Sequence, residues 1–129
     1  MKGEVVWTGG TGMNGINEAG QTIEMDWEQG PSPMQLLLQM VGACSLVDVV
    51  HSLGERRNLV SARIALEGQR APEPPRRFTS MKMIYHVVGD DIPEKMVRRV
   101  ITASHEKYCS VSNSLAEDMG IEWDLVLET

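Results

Sequence analysis

Two cysteines, Cys44 and Cys109, are the residues of this chain best suited to covalent chemistry, and they sit in very different surroundings. Cys44 lies in Val41-Gly42-Ala43-Cys44-Ser45-Leu46-Val47-Asp48, an apolar run that reads as buried helix. Cys109 lies in Lys107-Tyr108-Cys109-Ser110-Val111-Ser112-Asn113, a polar run that reads as an accessible helix start. There the helix dipole and the Lys107 cation would favour thiolate, the reactive form. A buried thiol facing an accessible one is the least equipment that two-cysteine redox chemistry needs. Against this stands the blander reading of Cys44 as a small buried hydrophobe and of Cys109 as an unreactive capping-region residue.

Neighbouring groups extend the possibilities. One turn from Cys44 stand Met40, Val41, Val47 and Asp48, with His51 a turn further on. Asp48 and His51 are the only charged or imidazole side chains between Met34 and Gly54, and are candidate supporting residues. The plainer reading is a local hydrogen bond. Before Cys109, His105 and Glu106 could act as a base and its orienter, or simply lie on a solvated face. Gly42, Ala43 and Ser45 flank Cys44 with small side chains, so another segment can approach the backbone closely there.

Other chemistries find no support. His51, His86 and His105 have no spaced partner and there is no Cys-x-x-Cys pair, so neither metal nor cofactor is expected. Ser110, Ser112 and Ser114 form no Gly-x-Ser-x-Gly elbow, and Gly9-Gly10-Thr11-Gly12 is too short for a dinucleotide loop. A net charge of −6 and a pI near 5.0 argue against a nucleic-acid surface. The apolar runs fall short of the roughly 18 consecutive residues of a membrane span, and no apolar signal run follows Met1. A cytoplasmic protein without membrane or nucleic-acid partners is the expectation. In a reducing compartment two cysteines are more often free or catalytic than a structural staple.

The elements that must position these residues can be read from pattern. One domain is expected for 129 residues. Residues 1–28 read as a β-meander, with Ile23, Met25 and Trp27 on one face and Glu24 and Asp26 on the other. Ser32-Pro33 is an N-cap and first-turn signature opening a central helix over 32–57, roughly 35 Å long. That helix is apolar on nearly every side, which predicts burial all round. Residues 59–88 read as a β-hairpin, with Val60, Ala62, Ile64 and Leu66 on one face, broken by the prolines of 71–77. Helices are expected over 93–119, the first carrying the stripe Met96, Val97, Val100, Ile101 and Ser104, the last spanning Ser110–Met119. Residues 120–128 form the closing strand. The class is α+β, with antiparallel sheets packed around a long buried central helix. A single copy struggles to cover such a helix, and an interlocked homodimer is the natural remedy.

Two segments carry a family resemblance. Pro31-Ser32-Pro33-Met34-Gln35-Leu36-Leu37-Leu38 leading into Gly42-Ala43-Cys44-Ser45-Leu46-Val47-Asp48-Val49-Val50, and Glu106-Lys107-Tyr108-Cys109-Ser110-Val111-Ser112, resemble the two cysteine motifs of the OsmC/Ohr family. These are the osmotically induced and organic hydroperoxide resistance proteins, and the YhfA-like branch is the most similar. The resemblance implies an intertwined homodimer in which long helices cross, with active sites at the interface. It implies that Cys44 is the peroxidatic thiol, oxidised by a small organic hydroperoxide to a sulfenic acid, and that Cys109 resolves it as a disulfide. A dithiol reductant of lipoyl type would restore both. The family places a Glu after the proline that opens the central helix and an Arg in the N-terminal sheet. Here Met34 stands at the first position and no Arg precedes Arg56. Arg56 or Arg77 of a second copy would have to supply the guanidinium. The alternative is a catalytically inactive dimer that binds a small apolar ligand or senses thiols.

Overall fold

A computed structural model describes residues 1–54 and 58–128, which fall into two compact units divided between Leu37 and Leu38. In the first unit β1 (Gly3–Gly9), β2 (Gly12–Asn17) and β3 (Thr22–Asp26) form an antiparallel meander in that order. Gly9 and Gly10 make its first turn at positive φ, where a β-carbon would be strained. Register places Val5 beside Gly15 and Gly15 beside Ile23, and Trp7 beside Met13 and Met13 beside Met25. One sheet face is therefore apolar, and Val5, Trp7 and Ile23 on it are exposed.

α1 (Pro33–Gly54) starts as expected. Ser32 Oγ accepts from Gln35 N–H at 3.2 Å while Gln35 Oε1 accepts from Ser32 N–H at 2.9 Å, a reciprocal capping box. The rest of its expected span, residues 55–57, lies outside the described residues. With 22 residues and a mean hydropathy of 1.7 over its most apolar window, α1 is long and apolar enough to cross a membrane, although Ser45 and Asp48 interrupt the run.

The second unit carries a sheet of order β4 (Asn58–Arg70), β5 (Phe78–Asp90), β6 (Gly120–Glu128). The β4–β5 pair is antiparallel, but β6 runs parallel to β5, so the sheet is mixed rather than antiparallel. The reason is the connection: α2 (Glu94–Ala103) and the segment between it and β6 carry the chain back over the sheet, and a strand reached by such a crossover runs in the same direction. β5 is the middle strand, burying Met81, Met83, Tyr85 and Val87 at alternate positions. Ala62, Ile64 and Leu66 of β4 are half-buried as expected, but Val60 is exposed. The ladder slips between Leu59 and Ser61, and one extra residue turns its side chain to the other face.

α1 is not buried all round in the protomer. Val41, Gly42, Ser45, Val49 and Leu53 form its buried face, whereas Met40, Ala43, Val47 and Val50 are exposed. The approach at Gly42 is close. Leu66 Cδ1 lies 2.7 Å from where a β-carbon would stand, so glycine lets β4 reach the helix backbone two residues before Cys44.

α2 buries Val97 and Ile101 with Met96 and Val100 half-buried, the stripe read from sequence. Its N-cap is Pro93, which has no side-chain cap. The expected helix over Ser110–Met119 is absent. Only the 3-10 turn Ser112–Ser114 forms, because the Ser112 and Asn113 side chains bond back to the Cys109 carbonyl, an alternative to helical pairing that such residues favour.

Candidate functional site

The two thiols exchange the roles that local sequence suggested. Cys109 is fully buried and Cys44 is half-buried, and both are free. The cause lies in α2. After Ala103 the helix widens into a π-turn, Ser104–Tyr108, closed by a hydrogen bond from Cys109 N–H to Ser104 O at 2.7 Å. That extra residue per turn carries Cys109 inward and leaves Tyr108 exposed.

Cys109 then meets Cys44. Burial pushes the Cys109 thiol above the ordinary range; Ser112, through its side chain and backbone, pulls it back; the hydrogen bond and charge of Cys44 push it up again. The Ser112 N–H points at Cys109 Sγ at 3.4 Å. The helix-dipole activation expected for Cys109 has no helix to supply it, since Ser110–Met119 forms only a short 3-10 turn, and desolvation leads the shift instead. Asn113 Nδ2 donates to both the Cys109 carbonyl (2.8 Å) and the His105 carbonyl (3.2 Å), which pins the segment.

Beside the thiols runs a row of polar groups that α1, β5 and the π-turn bring together. Ser104 Oγ lies 2.7 Å from Asp48 Oδ2 and 3.0 Å from Ser45 Oγ. Ser45 Oγ lies 2.5 Å from the Tyr85 hydroxyl, and that hydroxyl lies 2.8 Å from His105 Nε2. Tyr85 packs edge-on against both His105 and Trp123. Burial raises the Tyr85 pKa to about 12; the hydrogen bond from Ser45 opposes this, and the charges of Cys109 and Asp48 add to it. Burial lowers the His105 pKa, and the Asp48 charge opposes that.

Of the supporting residues read from sequence, Asp48 joins this row. His51 does not: it is exposed, and with Asp48, Ser52, Arg99, Val100, Ala103 and Tyr108 it lines a groove of about 410 Å³. His105, read as more at home on a solvated face, is half-buried, while Glu106 is exposed. Arg77 pairs with Asp118 at 3.2 Å on the surface, and Arg56 lies outside the described residues. Sequence reasoning missed Ser45, Tyr85, Ser104 and Arg99. The available signal was polarity out of pattern, since Ser45 interrupts an apolar helix and Ser104 sits on the apolar stripe of α2. Among the described residues no cluster of metal-binding side chains forms.

This geometry allows a half-exposed thiol to react first and a buried one second. A family model described as OsmC-like protein matches residues 26–124. Protein YhfA of Escherichia coli strain K12 is 36% identical over 125 residues, covering 94% of this chain and 93% of YhfA. An OsmC-like protein from Mycoplasma pneumoniae superposes with a TM-score of 0.83 at 16% identity, covering 99% of this chain and 96% of that one. The organic hydroperoxide resistance protein OhrB of Bacillus subtilis superposes with a TM-score of 0.62 at 17% identity, covering 98% of each chain. At those identities the two structures speak for the fold alone, but the extent of the sequence match to YhfA and of the family model does more. The chain belongs to the OsmC/Ohr family, on its YhfA-like branch.

Proposed function

We propose that this protein is a thiol-dependent reductant of small organic hydroperoxides, working through Cys44 and Cys109 as a cytoplasmic homodimer. One observation carries the reading: two free thiols, 65 positions apart in sequence, are neighbours in the fold, one half-exposed and one buried. The half-exposed Cys44 is the one a substrate can reach. Its thiolate attacks the outer oxygen of the hydroperoxide, the O–O bond breaks, and the departing alkoxide takes up the proton that the thiol lost on ionising and leaves as the alcohol. The resulting sulfenic acid condenses with the Cys109 thiol, releasing water and leaving a disulfide. A dithiol such as a lipoyl group then takes the disulfide's place as the oxidised partner.

Exposed apolar side chains support the homodimer. Met40, Ala43, Val47 and Val50 recur at the three-and-four spacing of a helix-packing seam, and Val5, Trp7 and Ile23 form a second apolar patch. The rival reading, a dimer that binds a small apolar ligand or senses thiols without turnover, draws on the burial that keeps Cys109 protonated and on Met34 in place of the family's Glu.

Peroxide titration with mass spectrometry of both cysteines separates the two, run with an alkyl hydroperoxide and with hydrogen peroxide. Stoichiometric loss of both thiols to an intramolecular disulfide, abolished in Cys44→Ser, supports the enzyme. A Cys44 that stays reduced under excess alkyl hydroperoxide, or a Cys44→Ser variant with full turnover, rejects it.

A further inference from the structure

The groove of about 410 Å³ falls inside the range of roughly 300–1,000 Å³ typical of small-molecule sites. Asp48, His51 and Ser52 line it from α1, and Arg99, Val100 and Ala103 line it from α2. Cys44, Asp48 and Ser52 follow one another at four-residue spacing, and His51 comes seven residues after the thiol. The groove therefore continues the helix face that carries Cys44. Asp48 stands one turn from that thiol, about 5.4 Å along the axis. This face lies beside the apolar stripe of Met40, Ala43, Val47 and Val50, not on it.

The groove holds one charge of each sign. Arg99 is exposed and takes part in none of the ion pairs among the described residues, whereas its neighbour Arg98 pairs with Glu94 at 3.4 Å. Asp48 is outside those pairs too. Ser104 Oγ bonds its Oδ2 at 2.7 Å, which fixes the carboxylate and leaves Oδ1 able to accept. Guanidinium and carboxylate thus share one groove without pairing with each other. A plain anion would meet Asp48 and a protein of net charge −6, and a plain cation would meet Arg99. A ligand that carries both charges satisfies both residues, and Val100 and Ala103 offer apolar surface to a short stem.

We propose that this groove binds a small zwitterion with an apolar stem, an α-amino acid in chemical class, its carboxylate pairing with Arg99 and its ammonium with Asp48. The planar guanidinium suits a carboxylate, which it can grip with two parallel hydrogen bonds. On the peroxidase reading, on which this second step rests, the favoured substrate is an amino acid bearing a hydroperoxide on its side chain. The balance of the reaction is unchanged. Cys44 sulfur takes the outer oxygen, the O–O bond breaks, and the alkoxide takes up the thiol's proton and leaves as a hydroxylated amino acid. Arg99 and Asp48 hold the end of the ligand that does not react, and so set which hydroperoxide is bound.

The test is a ¹H–¹⁵N titration of the reduced full-length protein with norleucine, hexanoate and pentylamine, which share a stem and differ in charge. Norleucine should shift the amides of residues 48–52 and 99–103 and bind at least about tenfold more tightly than either singly charged probe. Arg99→Gln should remove its margin over pentylamine. Asp48→Asn, which can still accept from Ser104, should remove its margin over hexanoate. Arg98→Gln, which changes the adjacent guanidinium, should leave both margins intact. Equal binding of norleucine and hexanoate, no shift at the groove, or unchanged binding in Arg99→Gln overturns the site. In turnover, leucine hydroperoxide should show a KM at least about tenfold below that of tert-butyl hydroperoxide, and Arg99→Gln should raise it toward the latter. Equal KM values in the unaltered protein overturn the substrate assignment. Norleucine binding in a protein that consumes no hydroperoxide upholds the site and removes the peroxidase reading instead.

Discussion

The Tyr85 hydroxyl stands between Ser45 Oγ and His105 Nε2, 2.5 Å from one and 2.8 Å from the other, so one phenol links the central helix to the π-turn that carries Cys109. Residues 45, 85 and 105 come from three separate elements, and none of them is near another in sequence.

Cutting that linkage should be felt as stability. Ser104→Ala removes the group between Asp48 and Ser45 and leaves both short of a partner in a largely dry site. A loss of about 1–3 kcal/mol is expected, read as a lower urea midpoint at constant slope. The Ser45→Ala/Ser104→Ala double variant should cost less than the two singles together, because the groups share one network. Strict additivity would show that they do not.

Acid should weaken the fold through His105. Its folded pKa lies below the unfolded value because burial disfavours the cation. As pH falls through about 6.5, the unfolded chain therefore binds a proton before the folded protein does. Melting temperature should drop between pH 7 and pH 5, and His105→Gln should flatten part of that drop.

Alkali should act through Tyr85 in the opposite direction. Its folded pKa is near 12 against an ordinary 10.0, so the unfolded chain loses its proton first. Stability is complete below pH 10 and declines between about 10 and 12, by on the order of 2 kcal/mol. Tyr85→Phe should lack that decline in denaturant titrations across the window.

The two thiols should differ in reactivity. Cys109 has no exposed surface and is pushed toward the protonated form, whereas Cys44 is half-exposed. Limited alkylation at pH 7.5 with subsequent peptide mapping should label Cys44 at least about tenfold faster. Equal labelling would contradict the burial.

Val47 is 65% exposed on the apolar stripe of α1, so Val47→Glu should leave the protomer folded. If two copies meet along that stripe, the substitution buries an unpaired carboxylate at the contact and the dimer dissociates. Sedimentation velocity of the variant beside the unaltered protein decides this, with circular dichroism as the check on folding.

Much of the scaffold was legible because it rests on short-range rules. Alternation marked β3 and most of β4, the Ser32-Pro33 signature marked the start of α1, and period 3.6 marked the buried stripe of α2. Two sequence motifs sufficed for the family. What failed depended on events that local pattern does not carry. Val60 turned outward because of a one-residue slip against β5, and β6 ran parallel because of the crossover before it.

For the site, sequence alone determined which side chains were available: two thiols, Asp48, His105, and serines out of place among apolar neighbours. Only the tertiary structure decided which thiol is buried and which polar groups meet. A single π-turn carries Cys109 into the interior, and the same turn brings Ser104 to Asp48 and Ser45 on another helix. Burial and hydrogen-bond partnership are properties of the assembled neighbourhood, so residue order could supply the parts but not their arrangement.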